Sequence, residues 1–222
     1  MHFSGMLEEL TAILLIGLLA WAYQASHPPP PCTCGSPGCP PITATRIKLR
    51  DGRHLAYKEL GVSKQIAKYK TIFIHGYASC MHYEMIASRT SPEVIEELGA
   101  YVVSFDRPGY GESDPDPKRT AKSFALDVEE LADQLGLGSK FYVIGHSMGG
   151  QLVWDCLKYI PHSHTRFQTF NTFTKTLMQA YPRQQGDFES IHRDQKIAFG
   201  KPEYDPMDLE NPFPNHEASV HV

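Results

Sequence analysis

The first 45 of the 222 residues contain no lysine or arginine, and nowhere does the chain carry a dense basic run. With 21 Lys+Arg against 25 Asp+Glu and a formal net charge of −4, that excludes a general polyanion binder, and no nucleic-acid partner is expected. Cysteine is sparse: five residues are too few for a disulfide scaffold and an odd number for complete pairing. The 17 glycines and 17 prolines follow no period, and aromatic residues make up 11% of the chain. Collagen-like, coiled-coil and wholly disordered classes are thereby excluded. There is no internal repeat and no Asn-x-Ser/Thr acceptor for glycosylation. The length suits one domain with a sizeable core and a short appendage.

Charge locates the appendage. Residues 46–160 hold 15 basic and 15 acidic side chains, as a soluble surface requires, whereas residues 161–222 hold 6 and 8 together with six prolines. Residues 1–45 carry only Glu8 and Glu9, and residues 10–23 (LTAILLIGLLAWAY) are uncharged. As a helix this run measures about 21 Å, short of the ~30 Å hydrocarbon core of a bilayer. Residues 1–25 are read as a membrane anchor, with Trp21 and Tyr23 where an interfacial belt would place them. Two readings compete: a cleaved signal ending at Ala20-Trp21-Ala22 but lacking a basic n-region, and a helix packed on the domain. An anchor would put the protein in the endomembrane or secretory system. Its orientation is not set, because the first basic residue is Arg46.

Residues 26–41 are expected to be a linker. Four consecutive prolines, Pro28 to Pro31, favour an extended polyproline II spacer. Cys32, Cys34 and Cys39 follow within eight residues. Their spacing matches no common zinc pattern, so linker thiols or lipidated cysteines are expected rather than a metal site.

Beyond the linker, residues 46–50 and 54–60 flank Asp51-Gly52, a dipeptide suited to a type I′ hairpin turn. Three short apolar runs follow, at residues 71–74, 101–105 and 141–144. Runs without alternation read as central parallel strands covered on both faces. Between the last two, Phe124, Val128, Leu131 and Leu135 recur at helical spacing over residues 123–135. Residues 148–160 form a second helix closed by Pro161. The pattern predicts an α/β domain whose mostly parallel sheet is opened by an antiparallel hairpin.

The chemistry centres on Gly145-His146-Ser147-Met148-Gly149-Gly150, placed where a buried strand gives way to a helix. A nucleophile elbow needs that arrangement, with small residues two before and two after the serine, here Gly145 and Gly149. Ser147 is then lifted above the strand ends at a helix N-terminus that favours developing negative charge. The alternative is a glycine-rich turn with an idle serine. His75-Gly76-Tyr77 directly follows the strand at 71–74. In this architecture the turn there supplies one oxyanion-hole amide and the residue after the nucleophile the other, so the candidates are the backbone N–H groups of Tyr77 and Met148. A simple strand end at His75-Gly76 is the competing reading. A third motif, Asp106-Arg107-Pro108-Gly109-Tyr110-Gly111-Glu112-Ser113, follows the strand at 101–105.

Taken together these motifs resemble the α/β-hydrolase superfamily. The order of strand, His-Gly, strand, D-R-x-G-x-G-x-S, helix, strand and G-H-S-M-G-G is that of its N-terminal half, densely over residues 42–162, and the chain is similar to plant members with an N-terminal hydrophobic segment. The resemblance implies an esterase- or lipase-type hydrolase that acts on a small acyl or apolar substrate and needs no cofactor and no metal. Ser147 would attack a carbonyl, a histidine would take its proton and a buried acid would orient that histidine. Serine rather than aspartate at the elbow sets aside the epoxide-hydrolase and dehalogenase branches. By the same resemblance Asp106–Ser113 is structural, and His146 points away from Ser147.

The resemblance requires an acid and then a histidine after two further strands, but residues 161–216 contain no aliphatic run of strand type. Residues 162–176 are rich in Ser, Thr and Phe, and Phe167, Phe170, Phe173 and Leu177 could line a lid helix or insert. Residues 188–192, 199–200 and 205–208 resemble the return from cap to core, and residues 218–222 the start of the strand before the acid. On that mapping, residues 42–162 are the N-terminal half of the core and residues 163–222 a cap remnant with the start of a late strand. Acid and histidine then fall beyond Val222, catalysis is impaired, and the strand at 141–144 keeps an open edge. Asp205 or Asp208 with His216 or His221 could form a substitute triad. A non-catalytic member that binds a small ligand, as a receptor does, is the other alternative.

Overall fold

The apolar runs become strands of a single sheet in the computed structural model, which describes residues 2–82, 91–138, 140–160, 165–170 and 181–209. Strands β1 (Thr45–Lys48), β2 (His54–Gly61), β3 (Tyr69–Ile74), β4 (Ala100–Phe105), β5 (Phe141–His146) and β6 (Thr165–Phe170) lie in the order β1-β2-β4-β3-β5-β6. The β1–β2 and β2–β4 pairs are antiparallel and the others parallel. Ile72 sits in register between Val103 and Val143, and all three are fully buried. That is the condition in which a strand needs no polar face.

The helices are α1 (His2–Ser26), α2 (Pro92–Leu98), α3 (Ala121–Gln134), α4 (Met148–Tyr159) and α5 (Arg193–Ala198). Thr120 caps α3 in a reciprocal box with Ser123. The expected stripe Phe124, Val128, Leu131 and Leu135 enters one core with Leu152, Val153 and Cys156 of α4 and with the central strands. The same helix pins the first hairpin through acids. Asp127 accepts two bonds from the Arg53 guanidinium, at 3.0 and 2.7 Å, and Glu130 accepts from the Arg50 N–H at 2.8 Å. Burial pushes the Asp127 carboxyl up to about 6 against the pull of Arg53, so the pair is still ionised at neutral pH.

Several expectations change. At Asp51-Gly52 only Gly52 has left-handed backbone, at φ 93°. The Leu49 N–H donates to Arg53 O and the Gly52 N–H to Leu49 O, which makes a three-residue loop rather than a type I′ turn. Asp51 stays in ordinary backbone, where its carboxylate accepts from the Arg53 N–H at 3.0 Å. The segment expected to be a lid helix or insert contains β6, which pairs with β5 along its whole length. Thr and Phe suit a strand, and a strand at the margin of a sheet needs no continuous aliphatic run, so the pattern concealed it. The edge beside residues 141–144 is therefore covered. Phe173 and Leu177, and residues 218–222, lie outside the described residues.

Two compact units divide at Pro30 and Pro31. In the first, α1 is longer than the apolar run suggested. Glu8–Ser26 alone spans 19 residues, about 28 Å, which by length and composition is enough to cross a membrane; none of it is buried. In the second unit, the stretch expected to be a spacer is folded from Cys32 onward. Cys32 and Cys39 form a disulfide, and the Cys32 N–H donates to Gln185 O at 3.1 Å. Cys34 is buried with its Sγ against Gly111 O, and burial pushes its thiol up to about 11. These are not exposed linker thiols or lipidation sites.

Leu131→Ala is expected to lower the unfolding free energy by about 2–5 kcal/mol, read as a fall in the urea midpoint at unchanged slope. Leu126→Ala, on the exposed side of α3, should stay within about 0.5 kcal/mol of wild type. Equal losses would contradict this core.

Candidate active site

The turn between β5 and α4 is built by backbone crowding. A Cβ at Gly145 would lie 2.2 Å from Gly149 O, and one at Gly149 would lie 2.2 Å from Ile74 O and 2.8 Å from His75 O. Neither distance admits a side chain, so strand, turn and helix meet here only as glycine. Between them Ser147 adopts φ 53°, ψ −122°, a conformation that costs a non-glycine residue about 1–3 kcal/mol. Ser147 is half-buried. Its carbonyl accepts from the Gly150 N–H at 2.8 Å, and its side chain does not cap the helix.

The turn after β3 reaches the same point. A Cβ at Gly76 would lie 3.1 Å from Ser147 Cβ and 3.0 Å from His146 O. Two residues on, Ala78 has φ 51°, the other non-glycine residue with left-handed backbone among the described residues. The Tyr77 N–H therefore belongs to the peptide bordering the elbow, and the Met148 N–H opens α4 beside it. Met148 N–H is one of the helix-start donors that no intrahelical carbonyl can satisfy.

Beneath this turn lies a buried polar cluster. The His75 ring donates through Nδ1 to Gly76 O at 2.9 Å and accepts the Arg107 N–H at Nε2, 3.0 Å away. Burial, and then the Arg107 charge, hold it well below the ordinary histidine range, so it is neutral. The Arg107 guanidinium donates to Gly76 O at 2.9 Å and forks onto Asp194 at 3.0 and 2.6 Å. Asp194 also accepts from Arg119 at 2.6 Å and from the Tyr110 hydroxyl at 2.5 Å. Asp106 accepts from the Met81 N–H, the Glu112 N–H and the Tyr181 hydroxyl, and burial raises its pKa. Ser113 Oγ donates to Asp106 O and accepts the Ala56 N–H. Asp106–Ser113 thus shapes the floor of the site.

Asp194 was not foreseen: it lies 87 residues from Arg107 with no local pattern to mark it. The one available signal was Arg107 itself, since a guanidinium this deeply buried must find a carboxylate. Of the acids weighed for a triad, Asp205 caps the Pro206–Asp208 turn through the Met207 N–H, and both Asp205 and Asp208 are exposed. His216 and His221 lie outside the described residues. Among the described residues no histidine is hydrogen-bonded to Ser147. An open cleft of about 530 Å³ lies on the Met148 side, lined by Met148, Leu152, Trp154, Arg119, Arg193 and Ile197 among others.

Residues 71–212 match the Alpha/beta hydrolase family, more than half of the chain. The chain belongs to that family. It is 22% identical over 193 residues to the mouse Protein ABHD14A, covering 86% of this chain and 75% of that one. To the pig Bifunctional epoxide hydrolase 2 it is 24% identical over 169 residues, 75% of this chain and 27% of the other. Among solved structures it resembles a hydrolase from Pseudomonas aeruginosa PA01 (22% identity, TM-score 0.48, 60% of this chain and 46% of that one). It also resembles an esterase from Exiguobacterium antarcticum (23% identity, TM-score 0.47, 66% and 53%). The chain spans about half the length of these solved structures, and its membership of the family makes its fold that of the α/β hydrolases.

Asp155, on the cleft side of α4, offers a pH test of this packing. It accepts the Tyr204 hydroxyl at 2.8 Å, and burial pushes its carboxyl up to about 6 against that bond. An acid whose pKa is higher folded than unfolded keeps its proton longer in the native state. Its contribution to stability therefore falls as pH rises from about 4 to about 6, and it stays low above. Asp155→Asn keeps an acceptor for Tyr204 and removes the charge. Above pH 7 it should be more stable than wild type by about 1–3 kcal/mol, and at pH 4 the two should converge. Urea unfolding across that range checks it.

Proposed function

We propose that this chain is a serine hydrolase of the esterase or lipase type, with Ser147 as nucleophile and the Tyr77 and Met148 N–H groups as its oxyanion hole. The observation that carries the reading is the strained backbone of Ser147 between strand and helix, with Gly76 packed on its Cβ. Attack by Oγ forms a bond to the substrate carbonyl carbon and moves an electron pair onto the carbonyl oxygen. Collapse expels the alcohol, which leaves with the proton the serine gave up, and water repeats the sequence on the acyl-enzyme. In this reading the two N–H groups receive the transient negative oxygen.

The substrate would be a small acyl or apolar ester, in keeping with the wall of Met148, Leu152 and Trp154. One relative is an epoxide hydrolase by name. A serine that opened an epoxide would be left as an ether, which water does not hydrolyse, so the elbow residue supports acyl chemistry. A serine also needs an acceptor for its proton. With no described histidine bonded to Ser147, we infer slow turnover, with the oxyanion hole and binding supplying what acceleration there is. The length and composition of Glu8–Ser26 support anchoring in a membrane. The open cleft also favours a second reading, a non-catalytic protein that binds a small apolar ligand.

A fluorophosphonate probe separates the two. We expect covalent labelling of the wild type and none of Ser147→Ala at an unchanged unfolding midpoint. Labelling that survives in Ser147→Ala would overturn the nucleophile assignment, and a folded wild type that takes no label would favour ligand binding.

A further inference from the structure

We propose that Arg107 is a positioning residue for the oxyanion hole: anchored on Asp194, its guanidinium holds and polarises the Gly76–Tyr77 peptide that presents the Tyr77 N–H. The inference rests on the serine-hydrolase reading above and adds the group that aims one of its two donors.

Gly76 O and the Tyr77 N–H are the two ends of one planar trans peptide, so they point in opposite directions. The carbonyl end is held twice, by the Arg107 guanidinium and by His75 Nδ1–H, each at 2.9 Å. With the oxygen tied down on that side, the N–H is aimed to the other. A Cβ on Gly76 would be 3.1 Å from Ser147 Cβ, so this peptide borders the elbow directly.

The anchor is itself rigid. Arg107 is fully buried and stacked 4.6 Å over the Tyr110 ring. Its partner Asp194 is shared with Arg119 and the Tyr110 hydroxyl. Two guanidinium groups on one carboxylate leave a net positive charge behind the Gly76 oxygen. A cation bonded to the carbonyl draws electron density across the peptide and strengthens its N–H as a donor. That preorganised polarity faces the place where negative charge develops. Arg107 touches neither the substrate nor Ser147, and it acts through the peptide.

The test compares Arg107→Met, Arg107→Lys and a control, Arg53→Lys, which disturbs a buried ion pair at the distant hairpin. Hydrolysis of p-nitrophenyl acetate and the 15N–1H resonance of Tyr77 are measured on the full chain. We expect kcat to fall about 100-fold in Arg107→Met and about 10-fold in Arg107→Lys, with KM within twofold. The Tyr77 resonance should move in both, and neither readout should change in Arg53→Lys. If Arg107→Met does not fold, Arg107→Lys, which keeps a cation for Asp194, decides. Wild-type kcat or an unmoved Tyr77 resonance in a folded Arg107 variant would overturn the proposal. If the wild type shows no Ser147-dependent hydrolysis, the hydrolase reading fails first, and the Tyr77 resonance still decides whether Arg107 sets that peptide.

Discussion

Three backbone segments meet at the elbow with no side chain between them, and the rest of the site depends on that contact. Gly145 lies against Gly149 O, Gly149 against Ile74 O, and Gly76 against the Ser147 Cβ. At Gly145 and Gly149 a methyl group would sit inside a carbonyl, and at Gly76 one would press on Ser147 Cβ and His146 O. The close approach fixes β3, β5 and α4 as one unit, so the turn after β3 and the first turn of α4 are held together. In that unit the strain at Ser147 is retained, because unwinding the bend would separate surfaces that are already packed.

The contact has a polar counterpart underneath. Arg107, Asp194, Arg119, Tyr110 and His75 occupy a nearly solvent-free layer below the turn. Burying two guanidinium groups is expensive unless every charge finds partners. Here the carboxylate of Asp194 and the carbonyls of Gly76 and Pro108 take several of the N–H groups, while Arg107 Nε and Arg119 Nε have no partner among the described residues and one positive charge is left over. Asp194 comes from α5, so the return segment after residue 181 acts as a structural clamp on the floor of the site. Gln185 adds to it by donating to both Gly111 O and Ser113 O, and the disulfide loop joins the same layer through the Cys32 N–H.

Much of this was legible in the sequence where the signal was local. The elbow could be found because close backbone approach leaves glycines at fixed offsets. The central strands and α3 could be found because burial on both faces or on one stripe imposes a pattern within a few residues. Long-range partners leave no such trace: Asp194 is an ordinary acid in a short helix, and neither the Cys32–Cys39 pairing nor the burial of Cys34 follows from the cysteine spacing. β6 escapes the pattern because a marginal strand can be polar; the hairpin is where the pattern puts it and only its turn type differs, because Asp-Gly serves a three-residue loop as well as a two-residue one. The uncharged run understates α1 because helical backbone continues past Glu8 and Glu9.

On the proposed serine-hydrolase reading, two requirements of acyl transfer separate in this chain. Stabilising the oxyanion would fall to backbone between His75 and Gly149, all of it inside the portion that matches the family. Removing the serine proton is a side-chain task for a histidine that must arrive from elsewhere in the fold. The first depends on packing that the core enforces, and it survives wherever the elbow survives. In serine hydrolases stripped of triad members, the oxyanion hole and binding alone still give roughly 10³–10⁴-fold acceleration over water. A fluorophosphonate also needs Ser147 to give up its proton, so labelling reports on the elbow, its hole and a base together, but it is stoichiometric and requires no deacylation. Labelling without turnover would place the fault after the first addition, and slow labelling of an intact fold would place it at the base.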